Sequence, residues 1–219
     1  MIKILFLGND SKESRRALKI LQRYSNNIYC IDRCEKIKEF PEYDLGIGFL
    51  YTYRIPKEQL NKTWVNFHPA ALPNYGGRNL AYHAIMNQAK VFGGTIHYMN
   101  EEFDNGDIIE CKTFPIEDSD TAGDLVDKSY EVLLELFEKY ADSISQNFLP
   151  DSFKQDKTTY YPKQKIDDFI NLRKDQEIKI KAVTVNGKYY AKIKAGGIVF
   201  NLIPEAQEGN KNANTKFKV

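Results

Sequence analysis

The chain of 219 residues has little cysteine and no excess of charge of either sign. Its three cysteines, Cys30, Cys34 and Cys111, are odd in number and lack the spacing of metal ligands, which is typical of reduced cytosolic thiols. Lys and Arg number 31 and Asp and Glu 30, for a formal net charge of +1, so electrostatics do not favour a nucleic-acid partner. No segment approaches the ~18 apolar residues of a membrane span, and no signal-peptide pattern occurs at the start. We therefore expect a cytoplasmic protein without a membrane segment.

Gly-x-Gly-x-x-Gly and P-loop motifs are also missing, which argues against dinucleotide and triphosphate sites of those types. What is present is an alternation of apolar strands and helical segments. The near-continuous apolar run Ile2 to Leu7 predicts a strand buried on both faces. Further strands are predicted at Asn27 to Ile31 and at Leu45 to Leu50, with a short helical piece near Lys36 between them. The pattern predicts an α/β fold with a doubly wound, mostly parallel sheet over residues 1–150.

Two helix starts stand out in this core. Ser11 precedes the first helix and is interpreted as its N-cap, with the alternative that Ser11 and Lys12 help an anionic ligand to bind there. The clearest amphipathic helix runs from Thr121 to Gln146, where Thr121 and Asp124 have the spacing of a capping box.

Composition changes after residue 150. We interpret 151–204 as a polar linker followed by a small β appendage, because Ile180 to Val185 and Lys188 to Ile193 flank Asn186-Gly187, a preferred hairpin turn. A third strand is predicted at Ile198 to Ile203. The aromatic residues of this appendage predict a homodimer or acceptor-binding surface; they are Tyr189, Tyr190 and Phe200. Residues 205–219 are polar and are predicted to be a disordered tail.

The residues that suggest chemistry lie at two predicted strand ends. Asn66 and His68 leave the same face of a strand that Pro69 should terminate, and a second strand ends in the acidic turn that contains Asp104. Each alone has an ordinary structural interpretation, and His83 and His97 are interpreted as structural. Together, an amide, an imidazole and a carboxylate suit transfer of an acyl-type group to an amine.

Four motifs in this order resemble the catalytic core of the formyltransferases that use 10-formyltetrahydrofolate. They are Asn66-x-His68-Pro69, Leu72-Pro73, Gly94-x-x-His97 and Asp104-x-Gly106-Asp107-Ile108-Ile109. The resemblance implies Asn66 as the oxyanion donor, His68 as the general base and Asp104 as the group that holds and charges His68. It implies 10-formyltetrahydrofolate as the formyl donor and no metal.

The resemblance also implies binding residues. The segment after the third strand is similar to the loop that borders the pterin, so the residues expected to contact the donor are Phe49, Leu50, Tyr51, Glu102 and Asp104. Those expected to contact the acceptor are Ser11, Lys12, Arg78, Asn79, Tyr160 and Tyr161.

Within this family, the chain is similar to the enzymes that formylate nucleotide-linked amino-deoxysugars, which have a short β appendage and a Tyr-Tyr-Pro segment. This implies a dTDP-linked substrate, such as dTDP-4-amino-4,6-dideoxyglucose, for surface polysaccharide synthesis. The pattern does not distinguish an amine at carbon 3 from one at carbon 4. The alternatives are a glycinamide ribonucleotide formyltransferase, a formyltetrahydrofolate hydrolase, and a non-catalytic dimeric binding protein of the same fold. A tRNA substrate is disfavoured, because the tRNA enzymes carry a larger basic C-terminal barrel.

Overall fold

The computed structural model describes residues 2–31, 36–156, 158–163, 165–166, 176–185, 190–195, 197–204 and 217–218. In chain order their elements are β1 (Ile4–Leu7), α1 (Lys12–Leu21), β2 (Ile28–Ile31), β3 (Leu45–Phe49), a 3₁₀ turn (Lys57–Gln59), β4 (Thr63–His68), β5 (Gly76–Gly77), α2 (Leu80–Met86), β6 (Val91–Tyr98), β7 (Ile108–Pro115), α3 (Ala122–Ser145), β8 (Tyr160–Tyr161), α4 (Gln176–Val183), β9 (Ala191–Ala195), β10 (Ile198–Pro204) and β11 (Phe217–Lys218).

A six-stranded sheet in the order β2-β1-β3-β4-β6-β7 forms the centre of the fold. The first four strands are parallel, and β6 and β7 are added antiparallel, which confirms the predicted α/β class with a mostly parallel sheet. Antiparallel pairing puts Tyr98, the last residue of β6, opposite Val65, and the acidic turn that follows folds back so that Asp104 contacts His68.

Both faces of the sheet are covered, which explains the apolar run in β1. Ile4 and Phe6 pack with α1 and α3 on one face. Leu5 and Leu7 pack on the other face against a cluster that includes Trp64. The short helix predicted near Lys36 is not formed over residues 36–40, where the chain bends at Lys38 and Glu39. Residues 32–35 lie outside the described residues.

The helix predicted from Thr121 is confirmed as α3. The Thr121 side chain accepts from the backbone N–H of Asp124, and the Asp124 carboxylate accepts from the backbone N–H of Thr121. This reciprocal capping box fixes the start of a 24-residue helix that covers the sheet.

The predicted hairpin is wrong in its first half, because Ile180 and Val183 lie in helix α4 and not in a strand. These side chains are buried against the small sheet, whereas Ala182, on another side of the same helix, packs in the cluster around α2. Ile180 and Val183, three residues apart, share one side of a helix but would face opposite ways in a strand. Packing of both on the small sheet therefore overrides the local β propensity of this segment. Thr184 ends the helix by donating its hydroxyl to the Ile180 carbonyl at 2.7 Å.

The C-terminal antiparallel sheet is confirmed, with strand order β11-β10-β9. Its hairpin joins β9 to β10 through Gly197, which has a φ of +82°, and so lies later in the chain than predicted. The predicted turn at Asn186-Gly187 and the predicted surface residue Tyr189 lie outside the described residues. Of the predicted tail 205–219, the structure describes Phe217–Lys218, which pair with Ile203 and Pro204.

Residues 153–156 and 158–161, which we call the strap, cross from the β7 side of the sheet to the loop before α2. Phe153 makes an isolated bridge with Ile108, and β8 pairs in parallel with β5. A side chain on Gly77, whose φ is +101°, would meet the Tyr161 carbonyl at 2.0 Å, so glycine permits this close pairing. Over the described part of the chain, no helix combines the length and apolarity needed to cross a membrane.

Candidate active site

Asn66 and His68 lie together at the end of β4, as predicted from strand alternation. In the pairing of β4 with β6, Asn66 lies opposite His97 and His68 opposite Thr95. The absence of a side chain on Gly48 in β3 leaves room for the Asn66 amide, since an added Cβ would be 2.9 Å from its oxygen. The parallel strand β3 and the antiparallel strand β6 thus fix the Asn66 side chain from both sides.

His97 orients the Asn66 amide. Its Nδ1 donates to the Tyr98 carbonyl at 2.7 Å, because a carbonyl can only accept. Nε2 of the neutral ring must then accept, so the Asn66 atom 3.0 Å away is the amide nitrogen. One Asn66 N–H is used in this bond, and the other is available to a ligand. His97, interpreted from the sequence as structural, therefore supports the predicted oxyanion donor.

Burial keeps His97 neutral. Burial is the main reason why the pKa of His97 is lowered from 6.5 to about 4; the Asp104 carboxylate opposes this shift, and the neighbouring His68 adds to it. Protonation of His97 at Nε2 would turn this nitrogen from an acceptor into a donor, and the hydrogen bond from the Asn66 amide would be lost.

The low pKa of His97 makes stability depend on pH. Between pH 6.5 and about 4 the unfolded chain binds a proton at this residue that the folded chain does not. Its contribution to the free energy of unfolding is therefore complete above pH 6.5 and is lost as the pH falls toward 4. Urea unfolding of the wild type and of His97→Gln over this range should show a flatter pH dependence for the variant. Parallel curves would contradict the assignment.

His68 and Asp104 are brought together as predicted. His68 is almost fully buried, and its Nδ1 lies 3.4 Å from the Asp104 carboxylate. Its Nε2 lies 2.7 Å from the Tyr75 carbonyl, to which it must donate. The nitrogen that can exchange a proton is therefore Nδ1, beside Asp104, and an imidazolium satisfies both contacts.

The Asp104 turn is shaped by two features. Asp104 has a φ of +54°, a left-handed conformation that Asp and Asn adopt more readily than most residues. A Cβ on Gly106 would meet the Tyr98 carbonyl at 1.8 Å, so glycine is needed there. The second carboxylate oxygen of Asp104 accepts from the backbone N–H of Gly77 at 2.8 Å. One carboxylate oxygen is thus held by the loop before α2 and the other faces His68.

These groups line a cavity of about 750 Å³. The predicted site residues that line it are Leu50, Tyr51, Asn66, His68, Arg78, Asn79, Asp104 and Tyr160. Glu102 lines a smaller adjoining pocket of about 70 Å³, together with Tyr51, Asn66 and Asp104. The volume of the large cavity is in the range of ligand sites that enclose drug-sized molecules.

Besides Glu102, four predicted binding residues do not line the large cavity. Phe49 is fully buried in an aromatic cluster with Phe6, Phe67 and Phe137. The ring of Phe49 faces the core, so a donor contact could come only from its backbone, and that contact stays a prediction. A strand that is apolar on both faces gives no sign of which end residue turns inward, and it is Leu50, with a φ of +57°, that turns to the cavity.

Ser11 and Lys12 lie at the start of α1. Ser11 is its N-cap and accepts from the Ser14 N–H at 3.1 Å, so the capping interpretation is confirmed. Lys12 contacts Glu13 at 3.5 Å and is exposed. Asn9, two residues before the cap, lines the cavity instead.

Tyr161 packs inside the protein, although Tyr160 next to it lines the cavity. The Tyr161 ring stacks between Tyr75, at 5.8 Å between centroids, and His83, at 4.1 Å. Alternation along the short strand β8 turns one tyrosine inward and the other outward. Tyr161 thus anchors the strap, and a substrate contact from it stays a prediction.

The sequence did not point to some of the residues that line the cavity. Among them are Tyr130 in α3, Val183 in α4 and Lys163, which follows β8. Tyr130 sits within the apolar stripe of a helix, so nothing in its spacing distinguished it from a core residue. Burial raises the pKa of its hydroxyl, which therefore acts as a hydrogen-bond donor. Among the residues that the structure describes, no group of three His, Cys, Asp or Glu could hold a metal ion.

Residues 44–137, which contain Asn66, His68 and Asp104, match the family described as formyl transferase. We call this matched segment the formyl transferase domain, after the family that it resembles. The domain includes β3 to β7 and most of α3, so it supplies the whole His68–Asp104 contact. The methionyl-tRNA formyltransferase of Halothermothrix orenii is 38% identical over 97 residues, which are 44% of this chain and 31% of the relative. The chain spans about a third of the length of the first curated relatives that it matches.

Solved structures extend the likeness in fold beyond the formyl transferase domain. A 4-N formyltransferase from Francisella tularensis has a TM-score of 0.74 at 21% identity, covering 99% of this chain and 96% of the other. An N-formyltransferase from Helicobacter canadensis, in complex with folinic acid and dTDP-3-aminofucose, has a TM-score of 0.73 at 19% identity, with coverage of 97% and 91%. A methionyl-tRNA formyltransferase from Clostridium thermocellum has a TM-score of 0.73 at 18% identity, with coverage of 100% and 99%. These identities support a shared fold.

Proposed function

We propose that this protein transfers a formyl group from 10-formyltetrahydrofolate to the amine of a nucleotide-linked amino sugar in the cytoplasm. The observation that carries this proposal is the arrangement of Asn66, His68 and Asp104 at one end of the cavity in the formyl transferase domain. It offers a free amide N–H beside an imidazole and a carboxylate in contact.

Each group has a defined task in such a transfer. When bound, the folate supplies a formyl group whose C–N bond breaks as the new amide bond forms. The available Asn66 N–H donates to the oxygen that becomes negative at the formyl carbon. The attacking amine must lose a proton and the folate nitrogen must gain one. His68 Nδ1, in contact with Asp104, holds this proton between the two transfers. Because Nε2–H of His68 already donates to the Tyr75 carbonyl, proton exchange takes place at Nδ1.

The cavity lining combines residues suited to two ligands. It includes Leu50, Tyr51 and Asp104, from the segments predicted to contact the donor. It also includes residues of helices α3 and α4 and the cations Arg78 and Lys163, and the Arg78 guanidinium donates to the Thr52 carbonyl. Asp104 is the one acidic side chain among the described residues of the cavity lining, so an anionic acceptor is favoured over a cationic one.

A dTDP-linked amino-dideoxyhexose is the acceptor that we propose, with dTDP-4-amino-4,6-dideoxyglucose for surface polysaccharide synthesis as the specific case. Support comes from the structural likeness to the Helicobacter canadensis protein, whose complex contains a dTDP-linked amino sugar, and from the two cations of the lining. Methionyl-tRNA is the second candidate, because the sequence relatives carry that name. The balanced charge of the chain, +1 overall, argues against it. A homodimer through the C-terminal sheet stays a prediction.

A direct assay tests both the reaction and its acceptor. The protein would be incubated with 10-formyltetrahydrofolate and each of a panel of dTDP- and UDP-linked 3-amino and 4-amino sugars, glycinamide ribonucleotide and methionyl-tRNA. Mass spectrometry would detect an added formyl group. We expect it on a dTDP-linked amino sugar.

The Asp104→Asn variant, whose carboxylate is replaced by an amide of the same shape, is the negative control, and exposed Lys19→Ala is the matched positive control. If methionyl-tRNA were the only acceptor to gain a formyl group, the amino-sugar acceptor would be wrong and the second candidate would take its place. Release of formate without a formylated acceptor would indicate the hydrolase. Absence of both products in the wild type, with folinic acid still bound, would favour the binding-protein alternative.

A further inference from the structure

Gln155 of the strap holds the turn that carries Asp104. Its side-chain nitrogen donates to the Asp104 carbonyl at 3.0 Å and to the Gly106 carbonyl at 2.6 Å. An amide NH₂ group has two hydrogens, so it can satisfy both carbonyls at once. A single side chain therefore bridges the two ends of the turn Asp104-Asn105-Gly106.

The orientation of the Gln155 amide follows from its two partners, because backbone carbonyls can only accept and the NH₂ group must therefore face them. Thr158 contacts the same turn. Its hydroxyl lies 2.9 Å from the side-chain oxygen of Asn105, 3.0 Å from the Gln155 oxygen and 3.3 Å from the Asp104 carbonyl, and it can donate its single hydrogen to one of them at a time. Gln155 and Thr158 thus form a small network around the turn, and Gln155 makes the two bonds that close it.

The strap is itself tied to the loop on the other side of His68. The Thr159 N–H donates to the Pro73 carbonyl at 2.8 Å, and the Thr159 carbonyl accepts from the Gly76 N–H at 3.0 Å. This loop supplies the Tyr75 carbonyl to His68 and the Gly77 N–H to Asp104. The strap therefore connects the two segments that place His68 and Asp104 against each other.

The position of the Asp104 carboxylate depends on this support. Its backbone is in the left-handed region, which costs free energy for a residue with a side chain, so the turn needs contacts that select it. The contact of Asp104 with His68 is 3.4 Å long, at the outer limit of a hydrogen bond, and a small shift of the turn would break it.

We propose that Gln155 is a positioning residue of the formyl transfer, which acts by holding the Asp104 carboxylate against His68. The expected effect on kcat rests on the proposed function, whereas the expected displacement of Asp104 from His68 does not. Gln155 does not line the large cavity and is outside the formyl transferase domain of residues 44–137. Its role follows from contacts with backbone carbonyls, which no sequence pattern reports.

Kinetics with the acceptor found above give the first test. Gln155→Ala should lower kcat by about tenfold to a hundredfold, because a displacement of about 1 Å in a reacting group has effects of this size. The KM values and the affinity for folinic acid should change by less than about twofold, since the cavity lining is untouched. Gln155→Glu, of the same shape but with a carboxylate facing the two carbonyls, should be at least as impaired. Exposed Lys154→Ala, the preceding residue of the chain, is the matched control.

A double-mutant cycle separates positioning from a general structural effect. If Gln155 acts through Asp104, Gln155→Ala should cause almost no further loss of kcat in an Asp104→Asn background. Equal loss of kcat in both backgrounds would overturn the proposal. So would equal changes of kcat and KM, because these would indicate a disturbed cavity.

A second readout needs no turnover. Three histidines make the imidazole nitrogen resonances of a ¹⁵N-His-labelled sample assignable through His-to-Gln variants. In Gln155→Ala the Nδ1 resonance of His68 should move, that of His83 should stay, and Lys154→Ala should match the wild type. An unchanged His68 resonance would overturn the proposal. If the wild type transfers no formyl group, the proposed function fails and this experiment still decides whether Gln155 holds Asp104.

Discussion

Replacing His68 by glutamine is expected to lower kcat by a factor of about 10² to 10⁴, the range for loss of a group that transfers protons in the rate-limiting step. Imidazole is the side-chain type whose ordinary pKa lies near neutrality, so it accepts and returns a proton at little cost. Glutamine has a terminal NH₂ group that can still donate to the Tyr75 carbonyl, and it keeps the loop in place. The proton exchange at Nδ1 beside Asp104 is lost.

Steady-state kinetics and folinic acid titration would be measured together, since proton transfer should affect kcat and leave donor binding nearly unchanged. His83→Gln makes the same chemical change outside the cavity and should keep most of the activity. A His68→Gln enzyme with wild-type kcat would exclude His68 from proton transfer. The transfer would then have to use Asp104 and water.

Replacing Asn66 by alanine is expected to lower kcat by about a hundredfold or more, because one oxyanion donor typically contributes about 3–4 kcal/mol to lowering the barrier. The structure gives a specific reason to expect a full effect. His97 holds one N–H of the amide, so the other N–H has a fixed direction before the donor binds. A donor that needs no reorientation stabilises the transition state more than a mobile one.

Asn66→Asp tests whether the effect comes from the N–H group. Aspartate has the shape of asparagine but offers no N–H, so it leaves no space in the cavity floor and should reduce kcat at least as much as alanine does. Burst and single-turnover measurements would show whether chemistry is the affected step. Retention of wild-type kcat in Asn66→Asp would contradict an oxyanion role for the amide.

The position of the candidate site was predictable because it depends on strand periodicity and on chain order. Alternation along β4 places Asn66 and His68 on one side, and Pro69 follows the last strand residue, His68. The acidic turn follows β6, whose antiparallel pairing puts Tyr98 opposite Val65, so Asp104 contacts His68 only because this turn folds back. Strand periodicity thus predicted the place of the amide and the imidazole, and the tertiary structure placed the carboxylate.

The role of His97 in orienting Asn66 depends on the pairing of two strands. Its spacing along β6 was visible, and pairing of β6 with β4 puts it opposite Asn66. Only the register of the two strands shows this, and register depends on the whole sheet. A histidine that alternates with apolar residues has the same pattern whether it fills the core or orients a neighbour.

Helix α4 shows where local propensity fails. Ile180, Val183 and Thr184 are β-branched, and Asn186-Gly187 follows them, so the segment has the pattern of a hairpin strand. In the structure Ala182 packs beside α2 while Ile180 and Val183 pack on the C-terminal sheet. Burial on two sides outweighs the small difference in propensity.

By itself, the sequence determined the fold class, the capped helix α3 and the strand end that carries the amide and the imidazole, because these follow from periodicity and order. The tertiary structure alone decided which atoms those groups present. Neutral His97 turns the Asn66 amide, the Tyr75 carbonyl fixes the proton of His68 on Nε2, and Gln155 holds the Asp104 turn. Each of these bonds joins residues distant in sequence or ends on a backbone carbonyl. Side-chain patterns carry no information about such carbonyls, which acquire their positions only when the chain is folded.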